Sequence, residues 1–130
     1  PGVIALKCNA FTSYEHSANE MANLDDQLKK QIEYKNGTDE IIMIIVCDDP
    51  AFTSAQLNNF LWVTFTRSNP SHDIYGVDAS TENKHWGCKG PVIFDARIKP
   101  HHAPAVEKDP ATEKSIEHIF NKGGSLYRKL

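Results

Sequence analysis

The spacing of apolar positions changes period along the chain, and each change marks an element. VIALKCN, residues 3 to 9, is short and rich in β-formers, which predicts a strand. Immediately after it, Thr12 and Glu15 stand at the T-x-x-E spacing of a capping box. From Ser13 to Gly37, Ala18, Met21, Leu28 and Ile32 fall on one helical face, with Leu24 joining at i+3 and Asn36-Gly37 as a left-handed stop. The opposite face, with Glu20, Asp25, Lys29 and Lys30, reads as solvated surface. IIMIIVC, residues 41 to 47, is apolar without alternation, the pattern of a strand covered on both faces at the centre of a layered sheet.

The acidic turn DDPAFTS follows, with Thr53 or Ser54 placed to cap a second helix. On that helix Leu57, Phe60, Leu61 and Phe65 form a stripe at i, i+3, i+4 and i+8, while Trp62 and Val63 lie toward another side. A helix apolar on nearly every side needs cover beyond its sheet face. Asn69 precedes Pro70 and is biased away from helical angles, so the helix ends there. DIYGV, residues 73 to 77, predicts a third strand, DASTENKHWGCKG a polar loop, and PVIFDARI a fourth strand. DPATEKSIEHIFNKGG predicts a short helix with Ile116, Ile119 and Phe120 on one face. The order is an α/β fold: a single three-layer domain over residues 1–122 with a mostly parallel sheet, a β-α-β-α-β core, a further strand and a C-terminal helix. Residues 123–130 are a tail.

At 130 residues with a formal charge of -3, the chain has the size of one domain and lacks the basic excess that nucleic acids or anionic membranes select. It contains no apolar run of about 20 residues that could span a bilayer, and no secretory signal pattern, which points to the cytoplasm. The Pro-Gly start without an initiator Met points to a processed chain or a segment of a longer protein.

Candidate chemistry concentrates where strands end, because ligands of open parallel sheets sit beyond the strand carboxyl ends. That rule selects Asp48, Asp49, Asp78 and the segment Asp95 to His102, whose Asp95, Arg97, Lys99, His101 and His102 are the densest polar cluster in the chain. Adjacent histidines without a third ligand at a suitable spacing argue against a metal site. His85 and Cys88 offer a base and a thiol, though spacing alone does not bring them together. Cys8, Cys47 and Cys88 form no C-x-x-C pair and read as free thiols. No glycine-rich phosphate loop is present. Arg67 and Asp73, at a helix end and a strand start, are expected to pair and clamp the helix against the strand.

The succession VCDDPAFTSAQLNNFLWVTFTRSNPSHD, then CKGPVIFDARIKP, resembles the C-terminal domain of the UbiD-like decarboxylase family over about residues 1 to 122. Trp62, Thr66, Arg67, Pro70 and Asp73 fill its W-x-x-x-T-R-x-x-P-x-x-D pattern, and Asp95, Ala96 and Arg97 begin its D-A-T-K-like strand end. Arg97 and Ile98 depart from the commoner Thr and basic residue, and PHHAP reads as a subgroup feature. The resemblance implies a lyase acting on an aromatic or unsaturated carboxylic acid with prenylated FMN, a divalent metal (Mn or Mg) and K+. It places the flavin-binding domain and the catalytic residues earlier in the chain, so no catalytic, cofactor-binding or metal residue is expected in this segment. The implied partners are that N-terminal domain and further copies in a homo-oligomer, with this domain covering the cleft. Trp62, Phe65 and Trp86 are the aromatics placed for burial at a domain or subunit interface, and Trp86, Lys99, His101 and His102 are candidate cleft or interface residues. The alternatives are a free-standing flavodoxin-like module holding an anion in its DARIKPHH loop, and a thiol hydrolase using Cys88 and His85.

Overall fold

The computed structural model describes residues 2–35, 41–104 and 109–129, with the side chains of 31–35 outside the description. Its centre is a four-stranded sheet in the order β1 (Val3–Lys7), β2 (Met43–Cys47), β6 (Val92–Asp95), β3 (Ile74–Gly76). β1, β2 and β6 run parallel, and β3 closes the edge antiparallel to β6. Helix α1 (Tyr14–Lys35) covers one face; α2 (Pro50–Ala55) and α3 (Leu57–Arg67) lie on the other. This is the three-layer, mostly parallel α/β arrangement expected from the order of elements.

β2 shows why the unbroken apolar run reads as it does. Ile44 and Val46 pack with Met21 on the α1 side, and Ile45 and Cys47 with Val63 on the α3 side, so alternation of direction puts every side chain against a helix. Leu24 and Leu28 complete the α1 contact. Ala18 is exposed, and the buried position on that turn is Ser17, which follows the same i, i+4 spacing to Met21. Ile32 and the Asn36-Gly37 stop fall outside the described side chains and residues.

Several local expectations are corrected. The N-terminus of α1 is capped by Ser13, whose Oγ accepts the His16 N–H at 3.1 Å, in place of a Thr12–Glu15 box. The acidic turn is itself a cap: Asp49 accepts the Phe52 N–H at 2.9 Å, Pro50 opens α2, and extended Gln56 separates α2 from α3. The buried side of α3 is Val63 and Thr64 with Phe60 partly buried, while Leu57, Leu61 and Phe65 point outward. Leu57 is 67% and Phe65 62% exposed, so of the predicted apolar stripe only Phe60 packs into the core.

The expected polar loop is a hairpin, β4 (Ala79–Glu82) paired with β5 (His85–Cys88). Its turn residues Asn83 and Lys84 both have positive φ, 50° and 67°, which matches the twist of the flanking strands. The hairpin packs on β3 at Gly76, where a Cβ would stand 2.5 Å from that of Cys88. The C-terminal helix α4 (Pro110–Phe120) is capped by Asp109 and buries no residue. Among the described residues, no helix is long and apolar enough to cross a membrane.

Candidate functional site

Past the end of β6 the chain stays extended, and its inward positions carry charge. Asp95, Arg97 and Lys99 are buried, whereas Ile98 between them is exposed. Arg97 spends all five donors: Nε and Nη2 grip Asp95 at 2.8 and 2.7 Å, Nη1 reaches Glu20 at 2.6 Å and the Asn9 carbonyl at 2.7 Å, and Nη2 also donates to Ser17 at 2.9 Å. Ser17 in turn donates to Asp95 at 2.5 Å. Glu20, expected on the solvated face of α1, is therefore part of an interior network. Burial alone would push the Asp95 carboxyl up, but the hydrogen bonds from Arg97 and Ser17 outweigh it and hold the group below its ordinary value. Glu20 is lowered in the same way: the Arg97 and Asn9 bonds overcome burial. Burial opposes the Arg97 charge, and its bonds to Asp95 and Glu20 raise its pKa nonetheless.

Lys99 joins the helix and strand ends. Its Nζ donates to the carbonyls of Arg67 at 3.0 Å, Asp95 at 2.8 Å and Arg97 at 3.3 Å, and lies 3.4 Å from Asp73 Oδ1. A buried ammonium with three acceptors caps the C-terminus of α3, where unpaired carbonyls concentrate partial negative charge. Asp73 Oδ2 accepts the Asn69 N–H at 2.7 Å, which fixes the turn around exposed Pro70. The expected Arg67–Asp73 pair is thus replaced: Lys99 takes Asp73, and Arg67 turns to Asp48 at 3.4 Å. The clamp between α3 and the next strand is real, but its cation comes from residue 99. Phe11 covers it, with Arg97 and Lys99 5.8 and 5.3 Å from its ring.

Above this interior clamp lies an open groove of about 370 Å³ lined by Trp62, Thr66, Arg67, Ile98, His102, Ala103 and Pro104. Arg67 stacks over the Trp62 ring at 4.9 Å, and Trp62 is 48% exposed. Asp48 accepts the Ile98 N–H at 2.8 Å as well as the loose Arg67 contact. The Thr66 hydroxyl donates to the Trp62 carbonyl at 2.5 Å. His102 Nδ1 accepts the Lys99 N–H at 3.1 Å, and burial, then His101, Lys99 and Arg67, lower its pKa. His101 packs edge-on against His102 at 4.7 Å and is itself exposed.

Of the residues singled out in the sequence, Trp62, Thr66, Arg67 and His102 meet in the groove, whereas Asp73, Asp95, Ala96, Arg97 and Lys99 are buried in the interior and do not line it. Trp86 stands apart on β5, 49% exposed. His85 and Cys88 sit at opposite ends of β5, and burial raises the Cys88 pKa, the wrong direction for a nucleophile. The DARIKPHH loop does not present Arg97 or Lys99 to solvent, so those two cannot hold an external anion. Ser17, Glu20, Asn9 and Phe11 belong to the site without being marked as such by the sequence pattern. The signal available for the first was a small polar residue in register with Met21, Leu24 and Leu28.

The fold and site define a three-layer α/β domain with a charged interior clamp beneath a half-apolar groove at the strand carboxyl ends. The chain is 28% identical over 99 residues to a 4-hydroxybenzoate decarboxylase component of Chlamydia pneumoniae, covering 76% of this chain and 17% of that protein. It is 31% identical over 80 residues to an uncharacterized protein of Chlamydia muridarum (62% of this chain, 14% of that one). An uncharacterized protein of Chlamydia trachomatis is 30% identical over 74 residues (57% and 13%). The chain thus spans less than a fifth of the length of the curated relatives it matches. No family model and no solved structure matches it.

Proposed function

We propose that this chain is the C-terminal α/β domain of a UbiD-like carboxy-lyase acting on an aromatic or unsaturated carboxylic acid, and that it covers the active-site cleft rather than carrying the reacting groups. The observation that carries the reading is the joining of its two motif segments. Trp62 to Asp73 and Asp95 to Lys99 are distant in sequence, yet Lys99 bonds the Arg67 carbonyl and the Asp95 N–H donates to the Asp73 carbonyl at 2.8 Å. Matching positions that converge on one clamp have a shared structural reason to occur together. The distant similarity to a decarboxylase component points the same way.

In this reading Trp62, Thr66, Arg67 and His102 form a wall facing the cleft, and Pro70, Asp73, Asp95, Ala96, Arg97 and Lys99 hold that wall in place. The open face of α3, with Leu57, Leu61 and Phe65, and Trp86 on the hairpin, are where the flavin-binding domain or a second copy in a homo-oligomer would be seated. Prenylated FMN, with its divalent metal and K+, belongs to the preceding domain. Arg97 and Lys99 spend their donors internally, so those two side chains are not available to that group, and among the described residues no cluster of His, Cys, Asp and Glu could hold a metal.

The test is turnover. A longer polypeptide carrying this domain is expected to release carbon dioxide from 4-hydroxybenzoate or a related unsaturated acid, and the 130-residue chain alone is expected to release none. Carbon dioxide release, or tight flavin binding, by the isolated chain overturns the reading.

A further inference from the structure

The groove above the clamp has a polar character that the cleft-wall role does not require. Its wall is apolar on both sides, with Trp62 on α3 facing Ile98 and Pro104 on the extended segment. Of its polar side chains, Arg67 and His102 have donors to spare, while the Thr66 hydroxyl has given its proton to the Trp62 carbonyl. Arg67 uses Nη1 toward Asp48, at 3.4 Å, and its Nε and Nη2 have no protein acceptor among the described residues. His102 accepts at Nδ1 from the Lys99 backbone, so in its neutral form the proton resides on Nε2 and that nitrogen is a donor. Asp48, the carboxylate partner of Arg67, is already bound to the Ile98 N–H at 2.8 Å.

We propose that this groove is a binding site for an organic monocarboxylate with a compact apolar body, its carboxylate taken by Arg67 and His102 and its body lodged between Trp62 and Ile98. A planar guanidinium matches a carboxylate by a forked pair of hydrogen bonds, and that of Arg67 lies over the Trp62 ring at 4.9 Å. Arg67 has 18% of its side-chain surface open to solvent, enough for a ligand to reach. The loose Asp48 contact is one that an incoming carboxylate can replace without stranding Asp48, which keeps the Ile98 N–H. Inorganic phosphate shares the charge but not the apolar body, and the wall selects against it. The proposal rests on the cleft-wall reading for the role of these residues, but binding in this groove requires no flavin and no turnover, so its failure and the failure of the carboxy-lyase reading are separately visible.

Trp62 serves as the reporter. In the purified chain carrying Trp86→Phe, titration with cyclohexanecarboxylate, which is optically silent, is expected to give a saturable change in Trp fluorescence with a midpoint below about 10 mM. Cyclohexanecarboxamide, with the same body and no charge, and inorganic phosphate, with charge and no body, are each expected to bind at least about tenfold more weakly. Arg67→Gln is expected to weaken the acid by a similar factor, and Arg67→Lys by less, because Lys keeps the charge and loses the fork. The absence of saturation, carboxamide binding as tightly as the acid, phosphate binding as tightly as the acid, or undiminished binding by a folded Arg67→Gln chain would each overturn the proposal. Should Arg67→Gln fail to fold by circular dichroism, the carboxamide and phosphate comparisons on the unaltered groove decide it.

Discussion

Arg97 and Arg67 act on opposite faces of one sheet, and the contrast between them separates what holds this domain together from what it offers to other molecules. Arg97, on the α1 side, is wholly buried and meets five acceptors from Asp95, Glu20, Ser17 and Asn9. Arg67, on the α3 side, has one loose ion pair, one aromatic ring beneath it and open donors. A buried guanidinium is stable only if every donor is matched, so Arg97 has no capacity left for a ligand. A groove arginine with a long contact contributes little to folding and remains available for binding. Chemical identity is the same in both; the completeness of the surrounding acceptors sets the role.

The contrast is open to direct attack. Arg97→Leu removes the guanidinium partner of buried Asp95 and should cost about 3–5 kcal/mol of stability, measured by denaturant unfolding. A loss below about 1 kcal/mol would mean that Asp95 is solvated and that the interior network is not what fixes the strand end. Lys99→Met comes next. It leaves the Arg67 and Asp95 carbonyls without their donor and Asp73 without a cation, and should cost on the order of 2–3 kcal/mol in the same assay.

Acid should reveal the same network. The folded values of Asp95 and Glu20 lie below their ordinary 3.8 and 4.5, because the hydrogen bonds outweigh burial. The unfolded chain therefore binds more protons in that range, so this stabilisation is present above the unfolded values and is lost as pH falls through about 4 toward the folded ones. Urea midpoints measured from about pH 6 down to about 3 should fall in the unaltered chain, and should fall less steeply in Arg97→Leu, where the group that lowers both values is gone. Equal slopes in the two proteins would remove the network as the source of acid sensitivity. The smallest effect is expected of Arg67→Gln, below about 1 kcal/mol, with the unfolding slope unchanged. A larger loss would move Arg67 from the binding side of the comparison to the structural side.

Much of the layered fold was written in one-dimensional pattern. The uninterrupted run IIMIIVC can satisfy all of its side chains only between two helical layers, and the positions Met21, Leu24 and Leu28 supply one of those layers. The signals Asn69-Pro70 and Asp109-Pro110 act through local backbone geometry and held for the same reason. The hairpin of β4 and β5 was not legible, because its turn is Asn83-Lys84 and lacks the glycine that usually marks positive φ at the second position.

What the chain determined by itself were the elements whose causes lie within a few residues: strand, cap, turn and helical face. Tertiary structure alone decided where the charge went. In Asp95-Ala96-Arg97-Ile98-Lys99 the alternation is inverted, with the ionic residues inward and the isoleucine outward. This holds because acceptors from residues 9, 17, 20, 67 and 73 arrive to meet them. The cost of burying a charge depends on partners that are near in space and far in sequence, and spacing along the chain carries no record of them.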